Sequence, residues 1–354
     1  MPVLTGPVPP AAAIGGPAGI LDRQRARESS ARTYARSFPI VPVRARGMTV
    51  IGADGRRYLD CLSGAGALAL GHNHPEVVAA IRRTLDRAAP MQVLDIATPE
   101  KDEFVDALFA TLPEELASRG RIHFCGPAGT DAVEAALKLA QHATGRRGLL
   151  AFTGAYHGMT AAALAAGGGV AAKEPVAGVA AEVTRLPFPH PNRCPLGLGG
   201  EAAERLCADY VGNLLADPCG GVAPPAAMIL EAVQGEGGVV PAPDGWLREM
   251  RRITAANGVP LIVDEVQTGL GRTGTLWACE RSGVIPDAIV MSKAIGGASR
   301  WPRWSTTSRS TAGRPAPTPA PSAAPRCRSR PAPRRCGWSW RRVSTIGPPS
   351  SARA

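Results

Sequence analysis

The stretch Val259-Pro-Leu-Ile-Val-Asp-Glu-Val-Gln-Thr-Gly-Leu-Gly-Arg-Thr-Gly274 decides how the chain is read. It opens as a short apolar run and reaches an acid, Asp264. That is the pattern of a buried parallel strand presenting a carboxylate at its C-terminal edge. A second short run, Asp287-Ala-Ile-Val-Met291, carries Lys293 just past its own end, in Met291-Ser-Lys-Ala-Ile-Gly-Gly297. Open α/β sheets take their ligands at the C-terminal edges of their strands. An acid and an amine delivered to neighbouring strand ends therefore face one crevice. Each has an ordinary explanation when taken alone: an acid after a strand commonly caps a helix, and a lysine between Ser and Ala is commonly solvated.

Upstream, the chain repeats strand, loop and helix from Arg121 onward. Arg121-Ile-His-Phe-Cys125 reads as a strand, Gly126 to Thr130 as a turn and Asp131 to His142 as a helix. In that turn Gly129 and Thr130 place backbone N–H groups at the positive end of a helix dipole, where a dianionic phosphate can be held. The next strand, Gly148-Leu-Leu-Ala-Phe152, leads to Ala155-Tyr-His-Gly-Met159, whose Tyr156 can stack on a flat ring. Residues 167–225 are irregular apart from a helix over Glu201 to Leu215. Ala226-Ala-Met-Ile-Leu230 restores the strand pattern and ends at Glu231, and Asp244 to Ala256 forms the next helix. Such alternation argues an α/β fold with a mostly parallel sheet wrapped by helices.

Toward the N-terminus, Met48-Thr-Val-Ile-Gly52 and Arg57-Tyr-Leu-Asp-Cys61 flank Asp54-Gly55, a hairpin signal. Gly71-His-Asn-His-Pro75 opens a helix with Pro75 in its first turn. His72 and His74 lack a third ligand and read as loop hydrogen-bonders rather than a metal site. A further helix starts at Thr98-Pro99 and runs to about Leu112.

With Gly126-Pro-Ala-Gly-Thr-Asp-Ala-Val-Glu134 and Glu231-Ala-Val-Gln-Gly-Glu-Gly-Gly238 beside the Asp264 and Lys293 stretches, the sequence resembles a class III aminotransferase of fold type I. Within that class it is most similar to the diaminobutyrate–2-oxoglutarate aminotransferases. The resemblance runs from about Ser29 to Gly297. It implies pyridoxal phosphate (PLP) held as a Schiff base on Lys293, with Asp264 against the ring nitrogen. It also implies Gly129 and Thr130 on the phosphate, Tyr156 on the ring face, Val266 packed against the ring, Gln267 on the phenolic oxygen and Glu231 near the cofactor. Glu236 would be a gate that pairs with a substrate-binding arginine, and His157 a supporting residue. The family usually has Pro where Ala232 stands. The implied reaction moves the 4-amino group of L-2,4-diaminobutyrate to 2-oxoglutarate in a homodimer. Ornithine, acetylornithine and 4-aminobutyrate are the competing donors.

Composition bounds the rest. Of 40 basic residues, twelve arginines follow Gly297, a segment without Lys, Asp or Glu, which leaves 28 basic against 29 acidic residues before it. The formal net charge of +11 thus belongs to the tail and not to a binding face of the body. Eight cysteines without a Cys-x-x-Cys spacing, and six histidines without a metal pattern, suggest a reduced, cytoplasmic protein with no structural metal. No stretch approaches the roughly 20 apolar residues that span a bilayer. Met1 to Gly19 is interrupted by Pro7, Pro9, Pro10 and Pro17, and reads as a disordered leader rather than a signal peptide.

The expected division is a leader over 1–28, an N-terminal segment with the hairpin over 29–70, an incomplete PLP-binding large domain over 71–297 and a disordered Arg/Pro-rich tail over 298–354. The Arg-rich run from Leu21 to Ala35 would allow a short surface helix. The tail has a second reading. Written in GC-rich codons and shifted by one base, Thr318-Pro-Ala-Pro-Ser-Ala-Ala-Pro325 returns His-Thr-Gly-Thr-Phe-Arg-Gly, a string similar to the family's continuation. The expectation is a frame change after Gly297 that leaves out the family's C-terminal domain, with its phosphate-binding threonine and its carboxylate-binding arginine. A different class of function, an inactive fragment whose basic tail binds nucleic acid without specificity, would follow from the arginines alone.

Overall fold

The computed structural model describes residues 16–29, 38–90, 96–126, 128–176, 182–192, 194–296 and, as backbone, 304–307. The chain divides into two units, residues 1–313 and 314–354, and all described residues belong to the first. The second lies outside the described residues, as do 1–15, 297–303 and 308–313.

Helix α1 (Gly16–Arg27) precedes a small antiparallel sheet of β1 (Pro42–Arg46), β2 (Thr49–Gly52) and β3 (Arg57–Leu59). β2 and β3 are the hairpin around Asp54-Gly55. Helices α2 (Pro75–Asp86), α3 (Pro99–Phe109) and α4 (Glu114–Arg119) lead to the large sheet. Thr98 caps α3 by accepting the Lys101 N–H at 3.2 Å. The body then alternates β4 (Arg121–Phe124), α5 (Gly129–Thr144), β5 (Leu149–Phe152), α6 (Ala161–Ala166), β6 (Val183–Leu186), α7 (Gly200–Ala216) and β7 (Ala227–Leu230). A two-stranded ribbon, β8 (Val233–Gln234) and β9 (Val240–Pro241), precedes α8 (Asp244–Ala256), β10 (Leu261–Asp264), β11 (Ala288–Val290) and β12 (Trp304–Thr307).

The seven-stranded sheet has the order β4-β12-β11-β10-β7-β5-β6, with β12 antiparallel to both its neighbours and the other strand pairs parallel. Alternate residues of each parallel strand enter opposite cores. Leu150, Phe152, Met228, Leu230, Leu261 and Val263 pack with Val211 of α7 and Trp246 and Met250 of α8. Leu149, Ala151, Ala227, Ile229, Ile262 and Val290 pack with Ala132, Val133 and Ala136 of α5 and Ala163 of α6. Both faces are thus covered, which is why these strands read as continuous apolar runs. The first core centres on Trp246, whose ring lies 5.0 Å from Phe152 and 5.1 Å from Phe188 in edge-on contacts. Trp246→Ala is expected to cost about 3–5 kcal/mol, visible as a lower midpoint in urea unfolding at an unchanged slope.

Two expectations are corrected. The surface helix expected from Leu21 begins earlier, at Gly16, inside the leader expected to be disordered over 1–28: Pro17 suits the first turn of a helix, and the Leu, Gln and Arg residues after it favour continuation. The tail expected to be disordered from 298 contributes β12, which fills the slot between β4 and β11. A composition test over the whole tail averages away four residues, while two strand edges that each lack a partner supply the pairing. The large sheet therefore extends past 297. Residues 308–354, and the string around Thr318 with them, lie outside the described residues.

Candidate active site

The parallel register sets the site. Asp264 ends β10 level with Val290 of β11, and Val263 is level with Leu230 of β7, so Glu231 follows its strand at the same edge. Lys293 comes three residues after Val290 and opens a short 3₁₀ turn over Lys293–Gly296. Its backbone has a φ of 27°, a conformation that residues with a Cβ seldom adopt and that surroundings must hold. Asp264 and Lys293 thus follow adjacent parallel strands at one sheet edge.

The start of α5 lies against the same edge. A Cβ added to Gly129 would sit 2.8 Å from Val266 Cγ1 and 3.0 Å from Ser292 Oγ, so glycine alone lets this helix N-terminus approach β10 and β11. The Gly129 and Thr130 N–H groups have no acceptor within the helix, whereas the Asp131 N–H donates to the Ala128 carbonyl at 3.0 Å. The Thr130 hydroxyl is engaged elsewhere, 2.6 Å from Thr160 Oγ and accepting the Thr160 N–H at 3.0 Å. Ser292, almost fully buried beside Gly129, is a site residue that the sequence does not single out. Its only signal is its place next to Lys293.

Asp264 is buried at 4% exposure and both its oxygens are used. Oδ1 accepts the Val266 N–H at 3.0 Å, and Oδ2 lies 2.7 Å from His157 Nδ1. His157 is buried, and its Nε2 has no partner among the described residues. The geometry assigns the proton to Nδ1, which donates to Asp264. Tyr156, half-buried, reaches this centre through its backbone, whose N–H donates to Glu231 Oε2 at 3.0 Å. Glu231 Oε1 accepts the Gly235 N–H at 3.3 Å. Gln267 packs on that same Gly235, where an added Cβ would collide with its Oε1. Glu236, in the turn between β8 and β9, is exposed.

Burial pushes the Glu231 carboxyl up from 4.5 to about 7; the His157 charge and two backbone N–H groups pull it down, and Asp264 raises it. The folded protein thus favours neutral Glu231. Its contribution to stability is present below pH 4.5 and is lost as pH rises through 7. Glu231→Gln, which cannot ionise, is expected to gain on the wild type by about 3 kcal/mol between those values and to hold that margin above pH 7. Urea unfolding of both proteins from pH 4 to 8 checks it; a pH-independent difference would show that Glu231 keeps its ordinary value.

Against known proteins, the family description Aminotransferase class-III matches residues 30–309. A diaminobutyrate–2-oxoglutarate aminotransferase of Rhizobium meliloti is 53% identical over 277 residues, covering 78% of this chain. The chain spans 59% of that relative's length. Among solved structures, an (S)-enantioselective omega-transaminase from Thermomicrobium roseum superposes with a TM-score of 0.73 at 30% identity, over 83% of this chain and 67% of its own. A PLP-bound amine transaminase from an uncultivated Pseudomonas species gives 0.70 at 30% identity, over 81% and 65%. The family match runs through the strands that lead to Glu231, Asp264 and Lys293 and includes β12, so by fold and by sequence the chain belongs to the class-III aminotransferases.

Proposed function

We propose that the chain is the lysine-bearing part of a PLP-dependent aminotransferase that moves the 4-amino group of L-2,4-diaminobutyrate to 2-oxoglutarate. The observation that carries the proposal is the convergence of Asp264 and Lys293, from adjacent parallel strands, at the N-terminus of α5. The name of the Rhizobium relative supports the donor and acceptor, and the PLP-bound Pseudomonas transaminase supports the cofactor. The proposal includes a homodimer and a cytoplasmic location. No helix among the described residues is long and apolar enough to cross a membrane.

The donor set fits PLP. First-turn N–H groups at Gly129 and Thr130 suit a dianion, a buried carboxylate suits a protonated ring nitrogen, and an amine suits an aldehyde. In this assignment Tyr156 and Val266 flank the ring, Gln267 takes the phenolic oxygen, Glu231 lies near the ring and Glu236 gates the substrate. When bound, PLP supplies an electron sink for charge developing on a substrate carbon. Asp264 holds a proton at the ring nitrogen, and His157 orients that carboxylate through Nδ1. Lys293 Nζ takes the proton from the donor's terminal carbon, a positioned transfer worth about 10²–10⁴ in rate.

Donor choice is tested on the full chain loaded with PLP, in single turnovers followed by cofactor absorbance at equal concentrations of each amine. Diaminobutyrate is expected to react fastest. Faster reaction of ornithine, acetylornithine or 4-aminobutyrate would reassign the donor within the class.

A further inference from the structure

The loop that joins β3 to α2 is closed at its neck. The Asp60 N–H donates to the Met48 carbonyl at 2.8 Å, and Gly47 and His72 exchange both backbone hydrogen bonds, also at 2.8 Å. Both ends of the loop are thereby tied to the turn between β1 and β2. They also meet directly, with His72 Nε2 2.7 Å from Asp60 Oδ2. The other Asp60 oxygen reaches forward and accepts the Ser63 N–H at 2.8 Å. Burial pushes the Asp60 carboxyl up, but the His72 hydrogen bond, the Ser63 N–H and the His72 charge together hold it below the usual carboxylate value.

Ser63 opens a run of four positive φ angles: 54° at Ser63, 60° at Gly64, 54° at Ala65 and 91° at Gly66. Left-handed backbone is unfavourable for any residue with a Cβ, so a run containing Ser63 and Ala65 persists only when it is held from outside. Beside the backbone bonds of the turn, among them those from the Gly66 N–H and the Leu68 N–H to the Ser63 carbonyl at 3.1 and 3.0 Å, three side-chain contacts hold it. One is the Asp60 carboxylate; in the second the Ser63 hydroxyl donates to the Leu68 carbonyl at 2.7 Å, and in the third Arg272 donates to that hydroxyl at 3.2 Å. At its far end the turn presents Gly66 to the site. A Cβ built there would sit 3.5 Å from Lys293 Cδ and 3.8 Å from Gln267 Cγ. The turn is one wall of the space in which the Lys293 side chain lies.

We propose that Asp60, locked by His72, is a positioning residue that holds the Ser63–Gly66 turn against Lys293 and so fixes the reach of its amine. This deepens the functional reading and rests on it for the role of Lys293. The clasp works through geometry: two carboxylate oxygens serve two partners, one at the neck and one in the strained turn. The anchor is the small N-terminal sheet, which thereby acts on the reacting amine without touching it.

The test uses the full chain without cofactor. A limiting dose of an amine-acetylating reagent is applied to the wild type, Asp60→Asn, His72→Leu and His72→Gln, and each lysine is followed by peptide mass spectrometry. Asp60→Asn and His72→Leu are expected to raise Lys293 labelling about fivefold, the shift expected for one lost hydrogen bond. Lys138 and Lys173 should not change, which excludes general loosening. His72→Gln keeps a donor nitrogen at the Nε2 position and should return Lys293 to the wild-type rate. If Asp60→Asn fails to fold, the contrast between His72→Leu and His72→Gln carries the test alone. Equal Lys293 labelling in folded wild type, Asp60→Asn and His72→Leu would overturn the clasp.

Borohydride reduction with PLP on the same proteins separates the two claims. A rise in Lys293 labelling without cofactor capture there would leave the clasp standing and remove the aminotransferase reading. Capture at Lys293 in every variant, with no change in labelling, would remove the clasp alone.

Discussion

Lys293→Ala is expected to abolish covalent capture of PLP by the chain. Wild-type protein mixed with PLP and reduced with borohydride should carry the label on the one peptide that contains Lys293, and the alanine variant on none. The chain makes this a clean experiment because it has only four lysines. Lys101 lies 4.4 Å over the Phe124 ring, Lys138 is exposed on α5, and Lys173 Nζ donates to the Ala165 and Gly167 carbonyls at the end of α6. Only Lys293 stands at the C-terminal edge of the sheet beside Asp264 and Ser292. The donor half-reaction should fall by at least the roughly 10²–10⁴ that a positioned proton-transfer group supplies. Label on Lys101, Lys138 or Lys173, or undiminished capture in the variant, would refute the assignment.

What was legible in the sequence follows from burial. Leu261–Asp264 and Ala227–Leu230 are covered on both faces, so they carry no alternation and stand out as apolar runs with an acid at their ends. Helix α8 was legible to its ends because its amphipathic period lies between a proline and a glycine turn. The contacts that complete the site were not. His157 and Asp264 are 107 residues apart, and nothing local marks either as the partner of the other. His72 reads as a loop hydrogen-bonder, but its partner Asp60 stands at the other end of the same loop, and nothing local names it. β12 escaped because strand pairing is decided by the edges it meets and not by the four residues themselves. The strain at Ser63, Ala65 and Lys293 lies in dihedral angles, which residue type does not report for Ser, Ala or Lys.

Asp264→Asn is expected to slow the donor half-reaction by about 10²–10³, the usual loss when one preorganised electrostatic group is removed from a dry site. Labelling of Lys293 should persist in this variant. Asn keeps the shape, and its single oxygen can still accept the Val266 N–H that Asp264 Oδ1 accepts at 3.0 Å. The losses are the negative charge and the second acceptor, the one that faces His157 Nδ1 at 2.7 Å. Because the His157 ring is buried and Nδ1 has that carboxylate in front of it, its effect should pass through Asp264. His157→Leu is therefore expected to slow the same step by a smaller factor, and the double variant Asp264→Asn/His157→Leu to be no slower than Asp264→Asn alone. Groups that act as one unit give such non-additive losses, whereas independent groups add in free energy. Single-turnover rates of the four proteins close the cycle. A double variant slowed by the product of the two single effects would mean that His157 reaches the reaction by its own route, through the Nε2 that has no partner among the described residues, and not by orienting the carboxylate.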